Sequence, residues 1–259
     1  SLTDKKIILS YSGGKDSSVT LFLIQKAAKE FGFNFETHAA VFPQYVYSEE
    51  DMKRLDAYWR ERNVGIEWHD VPATDEHLAE ALNEGMNPCL VCGQMKKKIL
   101  VSHLKNNISD WKSLVIIMSY SLWDLVSATI EHISGAIFPD QNYSSSLKGK
   151  SPEERFIETS QRLYPLLKLK GGLTVYKPLI RYNDQDIKNF ISENRIPLKT
   201  TACKYRKFIP NRLFATYYEK MDLYFDYAKV FGFVKDTLDL PEVSYYEKTG
   251  MEEYLTRII

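Results

Sequence analysis

The chain has 259 residues in which Lys plus Arg and Asp plus Glu both total 34, so no overall field draws it to nucleic acid or to a membrane surface. That length buries a full α/β core, as one large domain or as a domain with a small appendage. No apolar run reaches membrane-spanning length, the chain opens at its first strand without a signal-peptide pattern, and three cysteines are an odd count for a disulfide framework. The expectation is a cytoplasmic protein with reduced thiols and no membrane partner.

Lys5 to Ser10 reads as a buried strand, and the helical pattern Val19 to Lys29 follows it. Between them stands Ser12-Gly13-Gly14-Lys15-Asp16-Ser17. The glycines permit positive φ and close approach, so consecutive N–H groups can converge on an anion at a helix N-terminus. Lys15 adds a point charge and Ser12 and Ser17 add hydroxyls suited to phosphate oxygens, while Asp16 makes sense if Mg²⁺ accompanies the phosphates. The spacing is not that of a Walker A loop. The run resembles the loop of the PP-loop (N-type) ATP pyrophosphatases, which implies cleavage of ATP between its α and β phosphates to adenylate a carbonyl oxygen.

Further buried strands are predicted at Phe35 to Val41, Gly65 to Val71 and Leu114 to Met118, with helices at Ser48 to Arg62, capped by Ser48, and at Asp75 to Asn83. The alternation predicts a doubly wound parallel sheet with the Ser12 loop and the loops after Val41, Val71 and Met118 at its carboxyl edge. Residues 139–155 turn polar and read as a mobile loop. Beyond them, Leu173 to Tyr176 reads as a strand, Asn183 as the cap of a helix from Asp184 to Asn194, and Asn211 to Phe231 as one long aromatic-rich helix.

Cys89 and Cys92 form Cys-Leu-Val-Cys after Asn87-Pro88, a turn, and before the basic helix start Lys96-Lys97-Lys98; Cys203 lies in Thr201-Ala202-Cys203-Lys204-Tyr205-Arg206. By themselves these thiols fit zinc completed by a group such as His103, a redox pair, an iron–sulfur ligand set, or buried free cysteines. If they converge, Lys96, Lys97, Lys98, Lys199, Lys204, Arg206, Lys207 and Arg212 converge with them, Tyr205 and Phe208 stand ready to stack on a base, and Lys148 and Lys150 extend the surface.

The loop, the Cys-x-x-Cys leading into a basic helix, the stretch Tyr176-Lys177-Pro178-Leu179-Ile180, the acidic start Asp184 and Asp186, and one late cysteine beside basic residues resemble the tRNA 2-thiocytidine synthetase family from about Lys5 to Arg212. The resemblance implies an adenine nucleotide alpha hydrolase-like (PP-loop) fold, with a PP-loop ATP-pyrophosphatase domain over residues 1–180 and a small helical C-terminal extension over 181–259 carrying the third cysteine. It implies an ATP-dependent sulfurtransferase that adenylates a pyrimidine C2 carbonyl in tRNA, with ATP and Mg²⁺ at Ser12, Gly13, Gly14, Lys15, Asp16, Ser17 and Val41, and a [4Fe-4S] cluster at Cys89, Cys92 and Cys203. Lys15, Asp16 and Asp124 are the catalytic candidates; sulfide or a persulfide carrier is the implied sulfur donor, and a homodimer is possible. One segment departs from the family: Ser119-Tyr120-Ser121-Leu122-Trp123-Asp124 stands where a glycine, two histidines and an acidic pair are usual, and only Asp124 falls on the pattern. The competing expectations are a PP-loop synthetase that uses an amine or ammonia, with the thiols on zinc, and a noncatalytic RNA- or metal-binding protein of the same fold.

Overall fold

The computed structural model describes residues 2–137 and 152–255. The expected mobile loop, with Lys148 and Lys150, lies almost wholly outside the described residues, as does the Arg212 side chain. Among the described residues six strands form one sheet in the order β3-β2-β1-β4-β6-β5. Its members are β1 (Lys6–Ser10), β2 (Glu36–Val41), β3 (Ile66–Asp70), β4 (Leu114–Ile117), β5 (Leu166–Lys168) and β6 (Thr174–Tyr176). All neighbours run parallel except β5 against β6. The chain reverses its strand order between β1 and β4, so the loop after β1 opens at the switch point of the sheet, where ligands of such folds bind.

Helices cover both faces. On one, α1 (Lys15–Phe31), α2 (Glu49–Arg60) and α7 (Asp184–Asn194) bury Leu21, Phe22, Leu55, Trp59 and Ile187 against Leu9, Ala39 and Ile66. Trp59 is completely buried and its ring N–H donates to the Tyr11 hydroxyl at 3.1 Å, which fixes the residue just before the phosphate-type loop. Truncating such a side chain costs about 3–5 kcal/mol. On the other face, α4 (Pro88–Asn107) lays Leu104 beside Ile8, Leu114 and Ile116, and Tyr246 and Tyr254 from the chain's end complete that layer. A third cluster joins α5 (Leu122–Ile137) to α8 (Pro210–Lys220) and α9 (Tyr227–Thr237) through Trp123, Tyr218 and Val234.

Three expectations need correction. The Cys-x-x-Cys run does not precede a helix but opens one: the Asn87 side chain accepts the Cys89 N–H at 2.9 Å and Pro88 occupies the first helical position, where its missing N–H costs nothing. The single helix expected from Asn211 to Phe231 is two, α8 and α9. Asp222 takes a positive φ of 50°, and Asp226 caps α9 by accepting the Lys229 N–H. The edge strand β5 was not expected at all; three residues are too few to show a period.

Candidate functional site

Gly13 has φ +67°, and a Cβ built there would stand 3.3 Å from a Leu55 methyl and close to the Lys199 side chain, so this position requires glycine for both conformation and space. Gly14 is the N-cap of α1. The Ser12 and Ser17 hydroxyls lie 3.0 Å apart, and Ser17 Oγ also accepts the Ser12 N–H and donates to Gly14 O, which shapes the loop. Val41 is buried at the end of β2 beside Val46 and Tyr47, with Cys203 at the rim of the same cluster.

Lys15 reaches two carboxylates, Asp16 Oδ1 at 2.6 Å and Asp184 Oδ1 at 2.8 Å. Burial opposes its charge, but the two carboxylates outweigh that and raise its pKa. Asp16 is also raised: burial acts first, Lys15 pulls against it, and Asp124 and Asp184 add repulsion. Asp16 and Asp184 thus share the Lys15 ammonium, and the Asp124 charge acts on Asp16. Asp184 was not among the expected site residues; its signal was its place in the first turn of a capped helix. Asp124 closes a reciprocal cap on α5, accepting the Ser121 N–H at 2.9 Å and hydroxyl at 3.1 Å. The unusual Ser119 to Asp124 segment is thus a helix start docked on α7, with Trp123 donating to Asn183 and Ser121 near Asp184. Beside it, Ser119 Oγ is buried without a hydrogen-bond partner among the described residues.

The three cysteines come together in one cluster with Tyr205, Phe208, Ala40 and Phe42. Cys89 Sγ contacts Tyr205 O at 3.2 Å, and Cys203 Sγ lies 3.0 Å from the Tyr45 hydroxyl. Burial, then the neighbouring thiols, push the Cys89 thiol up to about 11; burial also raises Cys92, against the pull of Lys96. Their sulfurs do not form a group within 4.8 Å of one another, which is wider than the ligand shell of one zinc. His103 does not complete a thiol site: it lies eleven residues beyond Cys92 on α4, roughly 16 Å along the helix. The expected stacking residues are also differently employed. Tyr205 is only 7% exposed and its ring, like that of Phe208, packs in the thiol cluster.

One strap ties the glycine loop to the thiols. Lys199 N donates to Gly13 O at 2.9 Å, Thr200 N and Oγ1 both donate to Asp51 Oδ2 at 2.8 Å, and Arg54 donates to Leu198 O at 2.6 Å. Four residues after Lys199 the strap delivers Cys203, and Asn87 at the head of α4 then holds Phe208 O at 3.0 Å. Tyr47 bridges the same parts, donating to Ser12 O while the Lys199 ammonium sits over its ring. Lys96 and Lys199 both act on Cys92, and Lys204, Arg206 and Lys207, which follow Cys203 in sequence, are exposed.

No family model matches the chain. Over 201 residues it is 23% identical to a tRNA-cytidine(32) 2-sulfurtransferase of Geobacter sulfurreducens, covering 76% of this chain and 67% of that protein. Its fold matches the U34-tRNA thiolase NcsA of Methanococcus maripaludis, a structure that holds a [4Fe-4S] cluster, with a TM-score of 0.62 and 17% identity over 92% of this chain and 73% of that one. With the glycine loop at the switch point of its sheet, the chain shares the fold of the NcsA structure and is distantly similar in sequence to the tRNA-cytidine(32) 2-sulfurtransferase.

Proposed function

We propose that the chain is an ATP-dependent tRNA sulfurtransferase that adenylates a pyrimidine C2 carbonyl and replaces its oxygen with sulfur. The observation that carries this reading is the strap from Lys199 to Phe208, which hydrogen-bonds to the glycine loop at one end and supplies the third thiol at the other. ATP activation and sulfur chemistry then lie at the two ends of one strap, as a reaction that activates and then displaces requires.

The loop N–H groups and Lys15 neutralise charge on the triphosphate as the α-phosphorus passes to the base oxygen, and Asp16, with Asp124 and Asp184 behind it, holds the accompanying Mg²⁺. Cys89, Cys92 and Cys203 fit an iron–sulfur cluster: they are soft donors whose sulfurs do not all lie within 4.8 Å of one another, and the raised pKa values of Cys89 and Cys92 mean that a bound cationic guest must displace their thiol protons. A [4Fe-4S] cluster on three thiolates would leave one iron without a protein ligand, to carry the sulfur. Lys96 and Lys199 beside Cys92, with the exposed Lys204, Arg206 and Lys207 that follow Cys203, make the local basic patch that a neutral chain needs to hold tRNA.

Anaerobic purification is expected to yield a brown protein with iron and acid-labile sulfide in near-equal amounts, lost in Cys203→Ala. A colourless protein whose thiols hold zinc, released by Cys203→Ala, would remove the sulfur-transfer reading. In the double variant Arg206→Ala/Lys207→Ala, tRNA binding should weaken and its dependence on salt should flatten, the log–log slope falling by about 0.7–0.9 per lost phosphate contact. An unchanged slope places the RNA elsewhere.

A further inference from the structure

Strand alternation puts His38 of β2 and Glu67 and His69 of β3 on the sheet face covered by α4, with His38 directly opposite Glu67 in the parallel register. His103 comes down from α4 onto the same spot: its ring centroid lies 4.6 Å from that of His38 and 4.7 Å from that of His69. Four ligand atoms face one another. His38 Nδ1 is 2.9 Å from His69 Nε2 and 3.5 Å from Glu67 Oε2, His69 Nε2 is 3.6 Å from Glu67 Oε1, and His103 Nδ1 is 3.7 Å from Glu67 Oε1. Donors about 2.05 Å from a tetrahedral ion stand roughly 3.3 Å apart, so these separations bracket the edge of such a shell.

The surroundings also suit a metal. His38 is buried, and its other ring nitrogen, Nε2, faces Glu36 Oε2 at 3.4 Å, a carboxylate behind a histidine that fixes which nitrogen is free to ligate. Glu36 is itself held by Lys6. Glu67 is exposed, which leaves an entry path from solvent, and on the inner side His38 and His103 line a cavity of about 100 Å³ between α4 and the sheet.

We propose that His38, His69, His103 and Glu67 form a second metal site, separate from the thiols, that holds a divalent ion of borderline softness, Zn²⁺, in a closed three-nitrogen, one-oxygen shell. Three imidazoles and one carboxylate select such an ion over Mg²⁺ or Ca²⁺, which want oxygen. With all four positions taken by protein the site is structural: it clamps α4 to β2 and β3, and so holds the helix whose other end presents Cys89 and Cys92.

The test uses the full chain, Zn²⁺ for stoichiometry and stability, and Co²⁺ as the spectroscopic probe. One equivalent of Co²⁺ should give the visible d–d absorption of a tetrahedral nitrogen–oxygen site without thiolate-to-cobalt charge transfer, and Zn²⁺ should bleach it and raise the melting temperature. His103→Ala, a good helix former at a part-exposed position, and Glu67→Gln, at an exposed strand position, should keep the circular dichroism of the parent while losing that absorption and the Zn²⁺ shift. Glu36→Gln should weaken Zn²⁺ binding ten- to hundredfold. Absence of the nitrogen–oxygen signature in the parent, or its persistence unchanged in His103→Ala and Glu67→Gln, would overturn the proposal. Neither outcome depends on what the thiols bind, because thiolate ligation has its own charge-transfer band.

Discussion

Lys15→Ala is expected to lower tRNA-dependent pyrophosphate release by two to three orders of magnitude, about the loss seen when one preorganised group that stabilises developing charge is removed. The ammonium is within hydrogen-bond reach of both Asp16 and Asp184, and it stands in the first turn of α1 where the triphosphate would lie. Its removal also leaves buried carboxylates facing one another, so a structural cost accompanies the kinetic one. The two separate by pH. Asp16 is already raised in the parent; without Lys15 it rises further, so the folded state holds a proton that the unfolded chain releases above the ordinary carboxylate range. Stability of the variant therefore falls as pH rises through that window, while the activity loss persists at pH values where the variant is fully folded. Unchanged turnover in folded Lys15→Ala would remove the ATP-site assignment.

Lys177→Met should erase a pH dependence of stability. The Lys177 amine is almost wholly buried after β6, donating to Gln161 O at 3.1 Å and Tyr164 O at 3.0 Å; burial, helped by Arg162, pushes its pKa down to about 7. Between that value and the ordinary lysine pKa the unfolded chain binds a proton that the folded chain does not, so the stability of the parent rises with pH across the window, by up to about 4–5 kcal/mol. Methionine has no proton to bind, and the rise should disappear even though two carbonyls lose their donor at about 1–3 kcal/mol each. Urea unfolding at pH 6, 7.5 and 9 reads this directly. An equal slope in parent and variant would mean that the amine stays charged in the folded protein.

The five parallel strands and the glycine loop were legible because each is a local pattern: short apolar runs for buried strands, and two glycines between strand and helix for a turn that closes on an anion. The same holds for Ser48 and Asn183, caps set by their own neighbours. The contacts of Asp184 with Lys15 and of Lys199 with Gly13 escaped because the order of strands in the sheet brings these residues together, which no local window contains. The histidine cluster escaped for the same reason, since its members come from two strands and a helix. The break at Asp222 was hidden by aromatic residues that continue on both sides of it, although Asp226 is an ordinary cap three residues before Lys229. The assignment of Tyr205 to base stacking failed because an aromatic beside basic residues looks the same whether it faces solvent or, as here, the thiols.

The strap between Gly13 and Cys203 also joins the proposed nucleotide site to the thiols through one short piece of chain. By whatever factor occupancy of the thiols changes the affinity of the glycine loop for nucleotide, nucleotide must change the affinity of the thiols for their guest by that same factor. A shift in ATP binding on loss of the guest in air would then be matched by an equal effect of ATP on how tightly the thiols keep that guest.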